Sequence, residues 1–206
     1  MLQDPQAVEE AGLKIIDQEV GSHSFHPGQW SVVRQVIHAT ADFDFAREMV
    51  FHPAAVEAGV AAIRFGADIV ADTQTVDVGI TKDRLRKYGG TVWCFISDDD
   101  VILKAREENL PRTAVAMRKA AETSDGSIYV IGNAPAALLE LIRLVKEGKA
   151  KPSLIIGIPV GFVGAAEAKE TLLASKTPFI TCRGRKGGST VAAAIINALS
   201  LLATQS

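Results

Sequence analysis

The sequence predicts an α/β fold: a single three-layer, doubly wound domain over residues 1–206, with a mostly parallel central sheet and an N-terminal helical segment. Three observations carry this expectation. Short runs at 69–71, 91–96, 128–131, 154–158 and 179–182 are continuously apolar rather than alternating, as strands buried on both faces are. The stretches between them have helical spacing, so helices cover both faces of the sheet. At 206 residues, 48% hydrophobic and 22% charged, the chain is near the size at which one buried core is the default.

The elements follow in order. Asp4-Pro5 reads as an N-cap with proline at the first helical position, leading into Ala7, Val8, Ala11, Ile15 and Ile16 on one face. Residues 21–28 are turn-like. Trp30, Val33 and Ile37 then recur at i, i+3 and i+7, which predicts a second helix with His38 in its last turn. A third helix is expected over 53–65, closing at Gly66. Beyond it the strands alternate with helices at 77–87, 111–123, 134–146, 163–173 and 189–203. The last of these is apolar nearly all round, so it must be buried, either in the core or at a symmetric dimer contact.

Composition excludes several classes of function. The 22 basic and 24 acidic side chains nearly cancel, which argues against a nucleic-acid or membrane-surface partner and leaves any charged ligand to be recognised locally. Cys94 and Cys182 are far apart and neither sits in a C-x-x-C, so no zinc site or disulfide framework is expected, and a reducing cytoplasm fits best. The first residues, Met1-Leu2-Gln3-Asp4-Pro5-Gln6, lack a basic segment followed by an apolar stretch, and the apolar runs are too short or interrupted to cross a bilayer. A soluble, unprocessed protein is expected. His23, His26 and His52 have no ligand spacing, and Asp98-Asp99-Asp100 reads as helix caps and dipole partners, so no metal site is expected.

In a doubly wound sheet the loops leaving the carboxyl ends of the strands build the ligand crevice. Arg183-Gly-Arg185-Lys186-Gly-Gly-Ser189-Thr190 is the most informative of them. Glycines, free amides at a helix start and three cationic side chains suit an anion, although a glycine-rich turn with solvated charges has the same composition. The spacing is not that of a nucleotide P-loop. In Pro159-Val-Gly161-Phe-Val-Gly164, the two glycines could admit a ligand or a neighbouring strand. Asp72 and Thr73, at a strand end, fit either a pocket lining or a helix cap. His38 can exchange a proton near neutrality, since an unperturbed imidazole titrates near ~6.5. The carboxyl end of its helix favours the charged form, and Arg34, four residues back, opposes it.

Taken together, Val36-Ile-His38-Ala-Thr-Ala-Asp42, Asp72-Thr-Gln-Thr-Val-Asp-Val-Gly79-Ile, Ile131-Gly-Asn-Ala-Pro135, Pro159-Val-Gly-Phe-Val-Gly-Ala-Ala-Glu-Ala-Lys169 and Arg183-Gly-Arg-Lys-Gly-Gly-Ser189 resemble the precorrin-8X methylmutase family, including its cobalt-precorrin-8 members. Order and spacing match over nearly the whole chain. The resemblance implies an isomerase of cobalamin biosynthesis that moves a methyl group from C-11 to C-12 of a corrin-type tetrapyrrole, giving hydrogenobyrinic acid or, with cobalt present, cobyrinic acid. It implies no separate cofactor, any cobalt belonging to the substrate, and a homodimer. His38 matches the family's catalytic histidine and Arg112 an arginine of its substrate site. Arg183, Arg185 and Lys186 are further candidates for the substrate's carboxylates, and could equally brace a subunit contact. Gly12-Leu13 stands where some members have Ser-Phe, which removes a hydroxyl donor. Two other readings are a nucleotide- or phosphosugar-binding enzyme using the glycine-rich loops, and a tetrapyrrole carrier without chemistry.

Overall fold

The computed structural model describes residues 4–205; the reading of Met1, Leu2 and Gln3 at the chain start lies outside them. The helical segment comes first. Helix α1 (Pro5–Val20) buries Ile16 but leaves Val8 and Ile15 exposed, so its expected apolar face is only partly covered. Helix α2 (Pro27–Thr40) buries Val33 and Ile37 of the expected stripe together with Val32 and Val36, while Trp30 is only partly buried. Residue Ala41, with φ 54°, ends α2 in the left-handed conformation.

Two elements absent from the sequence reading follow: a single turn, α3 (Phe45–Glu48), and strand β1 (Met49–Phe51). Both are too short for periodicity to register. Helix α4 (Ala55–Arg64) then leads into β2 (Ile69–Ala71), which is buried throughout. The helix expected over 77–87 is two pieces, α5 (Gln74–Gly79) and α6 (Lys82–Arg86). Extended backbone at Ile80 separates them, and Asn197 holds the break by accepting from the Thr81 amide at 2.8 Å and donating to the Gly79 carbonyl at 2.9 Å.

The strand expected over 91–96 is shorter, β3 (Val92–Trp93), because residues 95–97 turn into a 3-10 segment. The acids after it begin an additional helix, α7 (Asp99–Glu107), with Asp98 at its N-cap position. Asp98 and Asp100 both accept from Lys119, at 2.7 Å each, so these acids serve structure. The remainder follows expectation: α8 (Arg112–Thr123), β4 (Ile128–Ile131), α9 (Pro135–Lys146), β5 (Leu154–Gly157), α10 (Ala165–Leu173), β6 (Phe179–Cys182) and α11 (Ser189–Thr204).

The sheet order is β1-β6-β5-β4-β2-β3, all parallel except β1, which runs antiparallel at the edge with Met49 opposite Cys182. Alternate strand positions divide between two cores. Ile69, Ile128, Ile156 and Ile180 pack beneath α2, α4, α5 and α11, whereas Val70, Tyr129, Ile155 and Phe179 pack beneath α7, α8, α9 and α10. Helix α11 lies in the first core, with Ile195, Ile196 and Leu199 buried within the chain. That accounts for its all-round apolarity without a second subunit.

Candidate active site

The strand order reverses between β2 and β4, where a doubly wound sheet opens its crevice at the carboxyl edge. Asp72 follows β2 at this point and is completely buried. Its carboxylate accepts from the amides of Gly132 (3.0 Å), Asn133 (2.9 Å) and Ala134 (2.9 Å), capping the start of α9 from the neighbouring strand. Burial pushes the Asp72 carboxyl above its usual range, and the three amide donors pull against that. The Thr73 hydroxyl makes only a long bond to the same carboxylate, at 3.5 Å. The anion-binding amides of the switch point are therefore occupied by the chain's own side chain.

His38 reaches the same edge by a different route. Strand β1 enters the sheet opposite the end of β6, so the segment before it, including the end of α2, lies at the carboxyl edge. The end of α2 is tightly made: Thr40 Oγ1 donates to the Val36 carbonyl at 2.8 Å and accepts from the Asp42 amide at 3.3 Å, and Asp42 in turn accepts from the Asp44 amide at 3.0 Å. His38 is exposed on this last turn, outside the buried stripe. Its imidazole lies against Gly12 of α1, where an added Cβ would stand 3.0 Å from Nε2. A glycine inside a helix costs about 0.5–1 kcal/mol relative to alanine, and here the missing side chain makes room for the ring. The residue noted in the sequence as a departure is thus the one in contact with the histidine. Gln35 and Ala39, but not His38, line a cleft of about 200 Å³ between α1, α2, α6 and α11.

The glycine-rich loop between β6 and α11 is docked onto the end of α2. Lys186 donates to Asp42 at 2.6 Å and to Asp44 at 2.5 Å. That ammonium holds the Asp42 carboxyl below its usual range, and the two acids push Lys186 above its own. Arg183 pairs with Glu170 at 3.3 Å, both side chains being more than half exposed. Arg185 places its guanidinium 5.6 Å from the centre of the Phe162 ring, and its carbonyl accepts from the Gly161 amide at 3.1 Å, which joins this loop to the one after β5. Gly164, with φ 76°, is the N-cap of α10. Gly187 adopts φ 146° against the carbonyls of Ile158 and Pro159, leaving no space for a side chain.

Beneath the loop lies Lys169, only 1% exposed, whose ammonium donates to the Lys186 carbonyl at 2.5 Å and contacts Cys182 Sγ at 3.5 Å. The sequence reading did not select it. The signal was available: Ala165, Ala168, Lys169 and Leu172 fall at i, i+3, i+4 and i+7, so this lysine sits on the buried stripe of α10.

Arg112 is remote from this corner. It is the first residue of α8, which packs on the opposite face of the sheet from α2. Arg118, six residues on, pairs with Glu140 of α9 at 2.5 Å, so Arg112 stands near the carboxyl edge, level with the start of α9. It opens into a hollow of about 490 Å³ shared with Arg106 and Asn109. A larger groove of about 930 Å³ runs beside edge strand β1, lined by His23, Phe25, Phe43 and Arg47 among others, and His38 is not part of it. Among the described residues no cluster of histidine, cysteine or acids has the makings of a metal site, and no helix is long and apolar enough to cross a membrane.

Comparison with known proteins agrees with the fold and identifies the family. Residues 7–202 match the model of the family described as precorrin-8X methylmutase. The cobalt-precorrin-8 methylmutase of Priestia megaterium is 53% identical over 199 residues, 97% of this chain and 88% of that protein. The precorrin-8X methylmutase of Pseudomonas aeruginosa is 40% identical, over 97% of this chain and 96% of the relative. The crystal structure of precorrin-8x methyl mutase from Thermus thermophilus superimposes with a TM-score of 0.90 at 42% identity, covering 97% of each chain. With the doubly wound fold and the ordered motifs, these likenesses establish that the chain belongs to the precorrin-8X methylmutase family of cobalamin-biosynthetic isomerases.

Proposed function

We propose that the chain moves a methyl group from C-11 to C-12 of precorrin-8X or its cobalt complex, giving hydrogenobyrinic or cobyrinic acid, with His38 as the acid/base. The observation that carries this is an exposed imidazole at the carboxyl edge, on a rigidly closed helix end, facing a glycine that leaves its Nε2 uncovered by any side chain at position 12. In the reaction the C-11–CH₃ bond breaks and a C-12–CH₃ bond forms within one molecule, so no external methyl donor, oxidant or separate cofactor is required. Protonation or hydrogen bonding of the conjugated ring by His38 withdraws electron density and favours the migration. A positioned general acid supplies about 10²–10⁴-fold, and holding the macrocycle in a reactive conformation supplies the remainder.

The substrate carries several carboxylates, and Arg112 is proposed as their principal anchor, with Arg183 and Arg185 in a lesser role. His38 and Arg112 belong to opposite faces of the sheet, so a ring touching both either spans the carboxyl edge or lies between two copies of the chain. A cytoplasmic homodimer is proposed. Phe162 and Val163, at 85% and 89% exposed on one loop, supply apolar surface for such a contact. A monomer mass that stays constant with rising concentration would overturn the dimer.

The deciding experiment is absorbance-monitored turnover of both substrates by wild type and His38→Ala, with binding of the corrin product measured in parallel. Wild type is expected to convert at least one substrate, while His38→Ala binds product yet turns over about 10²-fold or more slowly. Binding without turnover by wild type would favour a carrier, and neither binding nor turnover would remove the corrin assignment.

A further inference from the structure

The fully buried ammonium of Lys169 has no role in the reading above. Lysine is almost never this deep without a partner, because desolvating the charge is costly. Among the described residues no carboxylate pairs with it; its acceptors are the Lys186 carbonyl and Cys182 Sγ, and Cys182 Sγ also donates to that carbonyl at 3.1 Å. Burial pushes the Cys182 thiol up, which keeps its proton available for this bond. One backbone oxygen in the glycine-rich loop therefore receives both of the buried donors beneath it.

The consequence concerns direction. With its carbonyl drawn inward, Lys186 projects its side chain outward to Asp42 and Asp44, four and six residues after His38. The next two residues, Gly187 and Gly188, take φ 146° and 119°, and the Gly188 amide returns to the Ile158 carbonyl at 3.0 Å before α11 begins. Lys169 thus fixes the inner side of a residue whose outer side closes the end of the histidine's helix.

We propose that Lys169 is a positioning residue, acting through Lys186 on the Asp42–Asp44 turn and so on the placement of His38. It touches neither substrate nor reacting atoms. The inference rests on His38 being the acid/base, and it separates from that reading because the helix end can be observed without substrate.

The test is a double-mutant cycle with Lys169→Met and Lys186→Met, read as kcat and as the NMR chemical shifts of the His38 ring in the full chain. Residues acting through one network lose little more together than singly, so each variant is expected to lower kcat about tenfold and the double variant to fall within about twofold of the weaker single one. Losses that multiply, to about a hundredfold, would mean a merely structural role for Lys169 and overturn the proposal. The ring shifts of His38 should move in both single variants whether or not any substrate is converted. A wild type without turnover but with these shifts would remove the catalytic reading and leave the positioning network standing; unmoved shifts would remove the network. Should Lys169→Met fail to fold, the wild-type ¹⁵Nζ resonance of Lys169 decides: it must respond to Lys186→Met, a substitution of a partly exposed side chain, and an unchanged resonance overturns the proposal.

Discussion

The loop between β6 and α11 and the hairpin between α7 and α8 both carry cations at the carboxyl edge, yet they dispose of them in opposite ways. In the loop, Lys186 bridges Asp42 and Asp44, Arg183 pairs with Glu170 and Arg185 lies over Phe162. In the hairpin, Arg106 and Arg112 border a hollow, and Arg112 opens a helix whose first turn has no acid. A cation at the positive end of a helix dipole is unfavourable by about 0.3–1 kcal/mol unless an anion joins it. The loop is richer in positive residues, but among the described residues neither Arg106 nor Arg112 makes an ion pair. A cation free of internal acids is the one that an incoming carboxylate can engage without first breaking an ion pair.

The same distinction holds for the opposite charge at the switch point, where the amides that would suit an incoming anion hold Asp72 instead. The sharpest way to break the comparison is to empty that nest. Asp72→Ala leaves three amide donors without their acceptor, that of Gly132 buried and those of Asn133 and Ala134 partly so, and is expected to lower stability by about 2 kcal/mol, within the range for losing hydrogen bonds to a charged group. Urea unfolding measures the loss, and added formate should recover part of it by entering the vacated space. An unchanged midpoint would show that the amides never depended on the carboxylate.

How much of this was legible in the sequence depends on length and on partners. Strands β2, β4, β5 and β6 and helices α8 to α11 appear where continuous apolar runs and helical periodicity put them, because burial leaves those patterns in the chain. Strand β1 did not: three residues at an edge leave too little pattern, and its place is decided by pairing with β6 across more than a hundred intervening residues. The division between α5 and α6 likewise depends on Asn197, a partner distant in sequence. At the candidate site, His38 and Arg112 are nominated by family resemblance, and periodicity puts them on α2 and α8. The contact between Gly12 and His38, and the acids that engage Lys186, are properties of the folded arrangement and have no local signature.

A second, smaller effect sharpens the contrast between hairpin and loop. If Arg112 has no competing internal acid, its removal should appear in substrate affinity. Arg112→Ala is expected to weaken binding of the polycarboxylate product about tenfold, with little change in the unfolding midpoint, and to flatten the dependence of that affinity on salt. Equal weakening at low and high ionic strength would indicate that the lost interaction was packing rather than charge.

Arg183 supplies the smallest effect and the strictest comparison, since it bears the same group at the same edge of the sheet. Its partner Glu170 is more than half exposed, and exposed pairs of this kind contribute little, typically below about 1 kcal/mol. Arg183→Ala is therefore expected to change product affinity less than about twofold in the titration that reports on Arg112, because a guanidinium already facing an acid gains little by exchanging it for a substrate carboxylate. A loss as large as that of Arg112→Ala would mean that the ion pair to Glu170 opens when the substrate arrives. The loop would then be a binding element held in reserve by its own acid, and the Glu170→Gln protein should bind the product more tightly than wild type.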